Sequence, residues 1–453
     1  MMKLKIFLPL FILLLSGQVN AQPLSIKFSS AINKLEKDPV FIHSLIGIEI
    51  LDAVSGKSIY SYNADKGMVP ASTQKIITAA VMLEKFGPGF RFKTSFYLKK
   101  ISSGSYTLSV VGNFDPSLGS YRWNETLPHH ILKGLVAKLK EAGVTHIDTV
   151  QIFNPLPGYN IPENWVWEDL GNYYGATAER LNWRENQFDV HLQSADGVGN
   201  AVSILHHNGP AGIKFISELS TGEKGSGDQA YIFHAANDSI TFIRGTIPPS
   251  ENDFLIKASV FGPGAFFSDL VKDSSGIFEH AVEKLETGES EVNPGLLIFE
   301  NYSPTLDKLV YWFLKKSINL YGECFLQQLG NGRRKDGLDS INSILSGAGI
   351  DMKGMIMFDG SGLSPGNRVS PKMLAEVLAF AKKRAWWPVF YDALPIINGM
   401  HMKDGYITRY RCFTGIHLNT KGQSFIFSLM VNNYNGSPAA TRQKLWELLD
   451  LLK

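Results

Sequence analysis

Cysteine is nearly absent: Cys324 and Cys412 are the only two in 453 residues. So few exclude a disulfide scaffold and any cysteine-rich zinc or iron–sulfur site. A surplus of one charge is also missing. Lys and Arg number 44 against 42 Asp and Glu, and two of the lysines, Lys3 and Lys5, sit at the extreme N-terminus. Without those two the signs cancel, which argues against a nucleic-acid binder. The longest basic cluster, Arg333-Arg334-Lys335, reads as a solvated loop. There is no H-E-x-x-H array among the 11 histidines, which include the pairs His129-His130 and His206-His207, so a zinc peptidase is not indicated. A Gly-rich phosphate loop and internal repeats are missing as well. With 44% hydrophobic and 19% charged residues the chain is not disordered. At roughly 150 residues per domain, its length suggests two or three domains.

Long apolar runs are confined to the N-terminus. Residues 1–21 combine a basic start (Lys3, Lys5), an apolar run from Ile6 to Leu15, and small residues Val19 and Ala21 before Gln22. The run is too short for a bilayer, which needs about 20 residues. The pattern matches a secretory signal, with a buried N-terminal helix as the other reading. No Cys follows the run for lipid attachment, and no later segment reaches spanning length. The expectation is an exported protein without a transmembrane anchor after cleavage. In an oxidising space Cys324 and Cys412 could pair, but sequence does not say whether they meet.

Leu45 to Leu51 and Lys57 to Tyr62 read as paired strands around Ser55-Gly56. Pro70-Ala71-Ser72 opens a helix that ends at Gly87-Pro88. Residues 93–294 mix short alternating segments with few long helices, so this block reads as mostly β. From 304 onward helices return. The chain closes on the strand FIFSLMVNN and the helix TRQKLWELLDLL. The expected fold class is α/β (α+β): one unit, residues 22–92 and 295–453, split by an insertion of two smaller, mostly β domains.

Three patterns carry chemistry. Ser72-Thr73-Gln74-Lys75 is the one S-x-x-K in the chain. At this spacing on a helix the lysine reaches the serine hydroxyl. A serine is a poor nucleophile until a base takes its proton, and a lysine serves if burial or a second cation lowers its pKa. On the tetrad alone, a helix cap with a surface lysine is the plainer reading. Ser317-Ile318-Asn319 offers a hydroxyl for proton relay and an amide to hold lysine and substrate; Ser340-Ile341-Asn342 is a competing match on a more polar segment. Lys403-Asp404-Gly405 precedes a β-rich stretch, and Lys335-Asp336-Gly337 is its decoy in a turn. The glycine lets backbone pass close, so the Tyr406 N–H could join the Ser72 N–H in an oxyanion hole. Gly362-Leu363-Ser364-Pro365-Gly366 matches a hydrolase elbow, but Pro365 lacks the N–H that such an elbow needs, so it reads as a turn.

In this order the three patterns match the serine acyl-transfer set S-x-x-K, S-x-N, K-T-G. The likeness extends to PASTQKIITAAVMLEKFGPGFRF (70–92), WVWEDLGNYYGA (165–176), KKSINLYGE (315–323), DGSGLSPGNRVSP (359–371) and FSLMVNN (427–433). Across most of its length the chain resembles the D-alanyl-D-alanine carboxypeptidase/endopeptidase family, the class C low-molecular-mass penicillin-binding proteins. The resemblance implies a transpeptidase-like domain interrupted by the insertion. It implies Ser72 as acylated nucleophile, Lys75 as its base, Ser317 and Asn319 assisting, and Lys403 binding a terminal carboxylate. It places Asp404, Gly405 and Thr408 beside the substrate. Through the W-x-W-acid segment it also implicates Trp165, Glu168, Asp169 and Tyr173, with core packing as the other reading of the aromatics. No cofactor or metal is implied. The implied partners are peptidoglycan stem peptides and β-lactams as covalent inhibitors, in a bacterial periplasm or extracellular envelope.

One residue departs from the family pattern. Asp404 stands where Thr or Ser is usual, and an ionised Asp accepts hydrogen bonds only. A catalytically weak wall-binding homologue is therefore one alternative. A β-lactamase is the other, although the chain is long for one and Glu179-Arg180-Leu181-Asn182 falls one residue short of E-x-x-L-N.

Overall fold

The computed structural model describes residues 22–153, 160–210, 212–234, 240–262, 264–273, 275–286 and 294–453. The signal segment expected at 1–21 lies outside them.

A six-stranded antiparallel sheet forms the centre of the first unit. Its spatial order is Ile396–Ile397, Met400–Ile407, Tyr410–Leu418, Ser424–Asn432, Leu45–Asp52 and Ser58–Tyr62. N- and C-terminal parts of the chain therefore meet in one sheet, with Leu45 opposite Asn432 and Asp52 opposite Phe425. Strands Leu45–Asp52 and Ser424–Asn432 read as apolar runs, not alternations, because helices cover both faces. One face packs on helices Leu24–Glu36 and Pro438–Leu449 through Phe28, Ile32, Leu445 and Leu449. The other packs on a larger helical layer built around Lys75–Phe86, whose residues 75 to 83 are all buried. A helix that is apolar all round belongs in an interior.

Helices return after 304 as expected, with a break at the second motif. Leu306–Lys315 and Asn319–Leu329 are separate helices, and Ser317 between them has φ +56°. Neither Gly nor Pro marks this break. The stretch around Arg334, expected as a loop, is instead the start of helix Arg334–Gly347.

The insertion leaves and returns through neighbouring strands. Lys93–Ser102 pairs with Leu296–Tyr302 in a five-stranded sheet that also holds Ser105–Val111, Thr149–Phe153 and Val282–Glu286. The strand Leu296–Tyr302, expected with the first unit, thus pairs into this five-stranded sheet. Helix Pro128–Glu141 packs on this sheet through Ile131, Leu135 and Leu139, with Phe266 and Leu270 from helix Gly264–Val271. Beyond it, two three-stranded sheets share a core that includes Val190, Leu192, Ile232, Ile243 and Ile256. Cys324 and Cys412 are both buried free thiols and do not pair.

Candidate active site

Ser72 lies in a 3-10 turn, Ala71–Gln74, that runs directly into helix Lys75–Phe86. Side chains at i and i+3 eclipse in a 3-10 turn. This brings Lys75 Nζ to 3.0 Å from Ser72 Oγ. The turn is entered through Ala71 at φ +46°, a conformation that costs a residue with a Cβ on the order of 1–3 kcal/mol. Lys75 is fully buried. Its Nζ also lies 2.7 Å from Asn319 Oδ1 and 2.6 Å from the Ser361 carbonyl oxygen. Burial, and then the charge of Lys403, pull its pKa down to about 7, against the opposing pull of Asp359, Glu323 and Asp404.

Asn319 opens the helix that follows the break. Its amide nitrogen donates to the Tyr174 carbonyl at 2.8 Å, so the insertion helps fix its orientation. Ser317 lines the cleft beside it. The competing Ser340 lies on helix Arg334–Gly347, away from the cleft lining, and its hydroxyl donates to the Leu329 carbonyl at 3.2 Å. The decoy Lys335 is exposed on the same helix and pairs with Asp339.

The strand Met400–Ile407 brings up the third motif. A Cβ on Gly405 would sit 2.6 Å from the Pro70 carbonyl oxygen and 3.1 Å from Ser72 N, so only glycine lets this strand lie against the serine turn. Lys403 is buried, and its ammonium donates to Asp404 O at 2.7 Å and Asp404 Oδ1 at 3.0 Å. Burial raises the Asp404 pKa, but the Lys403 charge and hydrogen bond outweigh it and hold the carboxyl below its usual value. Asp404 is therefore ionised and turned toward Lys403.

A further loop completes the site, and its role is one that motif reading left unassigned. The carboxylate of Asp359 is fully buried. Its Oδ1 accepts from Gln74 Nε2, Gly362 N and Asn367 Nδ2; its Oδ2 accepts from Trp165 Nε1 and Ser364 N. These bonds shape the DGSGLS segment so that the Ser361 carbonyl faces Lys75. Glu323 supports it from behind, accepting from Gly360 N at 3.0 Å. Burial, and then the charge of Asp359, push Glu323 up to about 8. The spacing of Asp359 to the lysine in sequence gives no sign of this, although its segment is among those that carry the family resemblance.

These elements enclose a cleft of about 1020 Å³. Ser72, Ser317, Asn319, Glu168, Asp169, Tyr173, Tyr406 and Thr408 line it. Burial, followed by the charge of Glu168, raises Asp169 to about 6. Trp165, expected beside the substrate, is instead buried with its indole N–H on Asp359 at 2.8 Å, so it braces the loop from the insertion side. Lys403 and Gly405 lie behind the lining, on the strand next to Ser72, while the Asp404 side chain is about one-third exposed at the edge of that strand. Opposite the acidic wall, Glu185 accepts from Arg122, Ser120, Gln187 and Tyr321.

A serine and a buried lysine one turn apart, an S-x-N between two helices and a lysine-bearing edge strand, all on one α/β unit, are the arrangement expected of a penicillin-binding-type serine peptidase. The chain belongs to the D-Ala-D-Ala carboxypeptidase 3 (S13) family, whose model matches residues 28–401; the family is one of serine peptidases. It is 23% identical over 385 residues to a D-alanyl-D-alanine carboxypeptidase of Actinomadura sp. (strain R39), covering 81% of this chain and 70% of that one. It is 26% identical over 431 residues to the penicillin-sensitive carboxypeptidase A of Dictyostelium discoideum, covering 84% and 80%. The crystal structure of penicillin-binding protein 4 (dacB) from Haemophilus influenzae shares the fold with a TM-score of 0.76 at 21% identity, over 93% of this chain and 97% of that one.

Proposed function

We propose that this protein is an exported, penicillin-sensitive serine D,D-peptidase that cleaves D-Ala-D-Ala termini or D-Ala cross-links of peptidoglycan stem peptides. The observation that carries the reading is the surroundings of Lys75 Nζ. Two of its three neighbours, Asn319 Oδ1 and the Ser361 carbonyl, can only accept. A neutral amine donates its two hydrogens to them and turns its lone pair to the Ser72 hydroxyl. That is the arrangement of a base.

Lys75 takes the Ser72 proton as Oγ attacks the carbonyl carbon of the penultimate D-Ala. The negative charge on the former carbonyl oxygen is met by the Ser72 and Tyr406 N–H groups. The C–N bond breaks, the leaving amine takes a proton relayed from Lys75 through Ser317, and an ester remains on Ser72. Lys75 then takes a proton from a water that attacks the ester carbonyl, and returns it to Ser72 Oγ as the C–O bond breaks and the acid is released. Glu168, Asp169 and Tyr173 form the wall that receives the stem. Family membership, the carboxypeptidase relatives and a β-lactam complex of the Haemophilus influenzae protein support the reading. Among the described residues no helix is long and apolar enough to cross a membrane, which is compatible with export behind the signal at 1–21.

Incubation with a fluorescent penicillin followed by peptide mass spectrometry tests this. The expected result is a long-lived adduct on the Ser72 peptide, absent in Ser72→Ala. Rapid release of hydrolysed drug would mark a β-lactamase. No adduct on the folded protein would favour the wall-binding homologue that Asp404 raises.

A further inference from the structure

Asp404 changes what the third-motif edge presents to a ligand. Of the pair, the Lys403 side chain is 2% exposed and the Asp404 side chain 34%. Alternation along the strand sends Lys403 and Gly405 to the face that packs on the serine turn, while Asp404 starts from the other face with Tyr406. The Asp404 carboxylate nevertheless reaches Lys403 Nζ, so it comes round the strand edge. From Lys403 onward that edge is unpaired among the described residues, because Ile396–Ile397 pairs only with His401 and Met400. Oδ1 is taken by Lys403. Oδ2 forms an ion pair with Arg411 Nη2 at 3.7 Å, too long for a hydrogen bond, so it keeps room to accept one from a ligand. A ligand arriving at this edge meets an anionic acceptor, and the ammonium behind it is already engaged.

We propose that Asp404 makes the leaving-group side of the site selective for stem peptides and cross-links in which the residue after the scissile bond carries a carboxamide in place of a free carboxylate. A carboxylate has acceptors only and would face a like charge. A carboxamide donates its NH2 to Asp404 Oδ2 and keeps a carbonyl oxygen for the donors that a carboxylate would use. The inference rests on the peptidase reading and narrows its substrate class.

The test uses the mature protein and two substrates, an acetylated lysyl-D-Ala-D-Ala peptide with a free C-terminus and the same peptide ending in D-Ala-amide. Release of D-Ala and of D-Ala-amide gives two kcat/KM values. The wild-type ratio is expected to favour the amide by about tenfold or more, the scale of a like-charge clash. Asp404→Thr is expected to move the acid-to-amide ratio at least about tenfold toward the acid, with Asp404→Asn between. A wild type that favours the acid overturns the proposal, as does an unchanged ratio in a folded Asp404→Thr. Should both variants misfold, the wild-type ratio alone decides. If neither peptide is cleaved and penicillin leaves no ester on Ser72, the peptidase reading itself falls and the selectivity with it.

Discussion

In the proposed reaction the chemistry turns on Lys75, and its titration gives a direct check. Its folded pKa, lowered to about 7, means that below this pH the amine carries the proton that it must accept from Ser72. The rate constant for penicillin acylation should therefore fall about tenfold per pH unit below about 7 and level off above it. Acylation rates measured from pH 5 to pH 8 check this, and a flat profile would remove Lys75 from the role of base. Lys75→Arg should lose at least about 100-fold, because a guanidinium stays charged in proteins. The Ser72–Lys75 pair was legible in sequence because one helical turn fixes it. The burial that lowers the lysine's pKa was not: it comes from Phe313, Asn319 and Ser361, all far away in the chain.

At the scale of elements, the Asp359–Ser364 loop and the serine turn are built as one piece. A Cβ on Gly362 would lie 2.0 Å from the Ala71 carbonyl oxygen, and its φ of +82° favours glycine as well. Gly362→Ala should cost about 1–3 kcal/mol from the backbone alone, with the clash in addition. It should also abolish penicillin acylation by pushing Ala71 and Ser72 out of place. Gly89→Ala, with open space around it and no positive φ, is the control and should stay within about 0.5 kcal/mol. Urea unfolding midpoints and adduct yields separate the two. The strands and helices around the sheet followed from apolar runs and Gly or Pro stops, as at Gly87, which ends helix Lys75–Phe86. The break at Lys316–Ile318 did not. Its sequence is helix-compatible, and the left-handed Ser317 between the two helices is not marked by a Gly or Asn that would favour that conformation.

For the whole molecule, the split chain raises the question of what the insertion does for the unit that it interrupts. Its contacts are specific: Tyr174 accepts from Asn319, Glu185 from Tyr321, and Trp165 donates to Asp359. Family resemblance pointed to Trp165 as a stem contact because a W-x-W-acid string shows no difference between an indole facing a cleft and one facing a buried carboxylate. Burial and the 2.8 Å bond decide for the second. The two roles predict different outcomes for Trp165→Phe, which keeps an aromatic ring and removes the N–H. A bracing indole leaves Asp359 Oδ2 one donor short, so the variant should lose about 1.5–3 kcal/mol of stability, the scale of a hydrogen bond to a charged group. Its penicillin acylation should slow, because the Asp359 loop also holds the Ser361 carbonyl against Lys75. A stem contact would instead raise KM for peptides and leave both the unfolding midpoint and the reaction with penicillin unchanged. Denaturant unfolding together with acylation kinetics on one preparation decides between them. Loss in both would show the inserted domains acting as part of the catalytic framework, through a bond that joins residues 165 and 359.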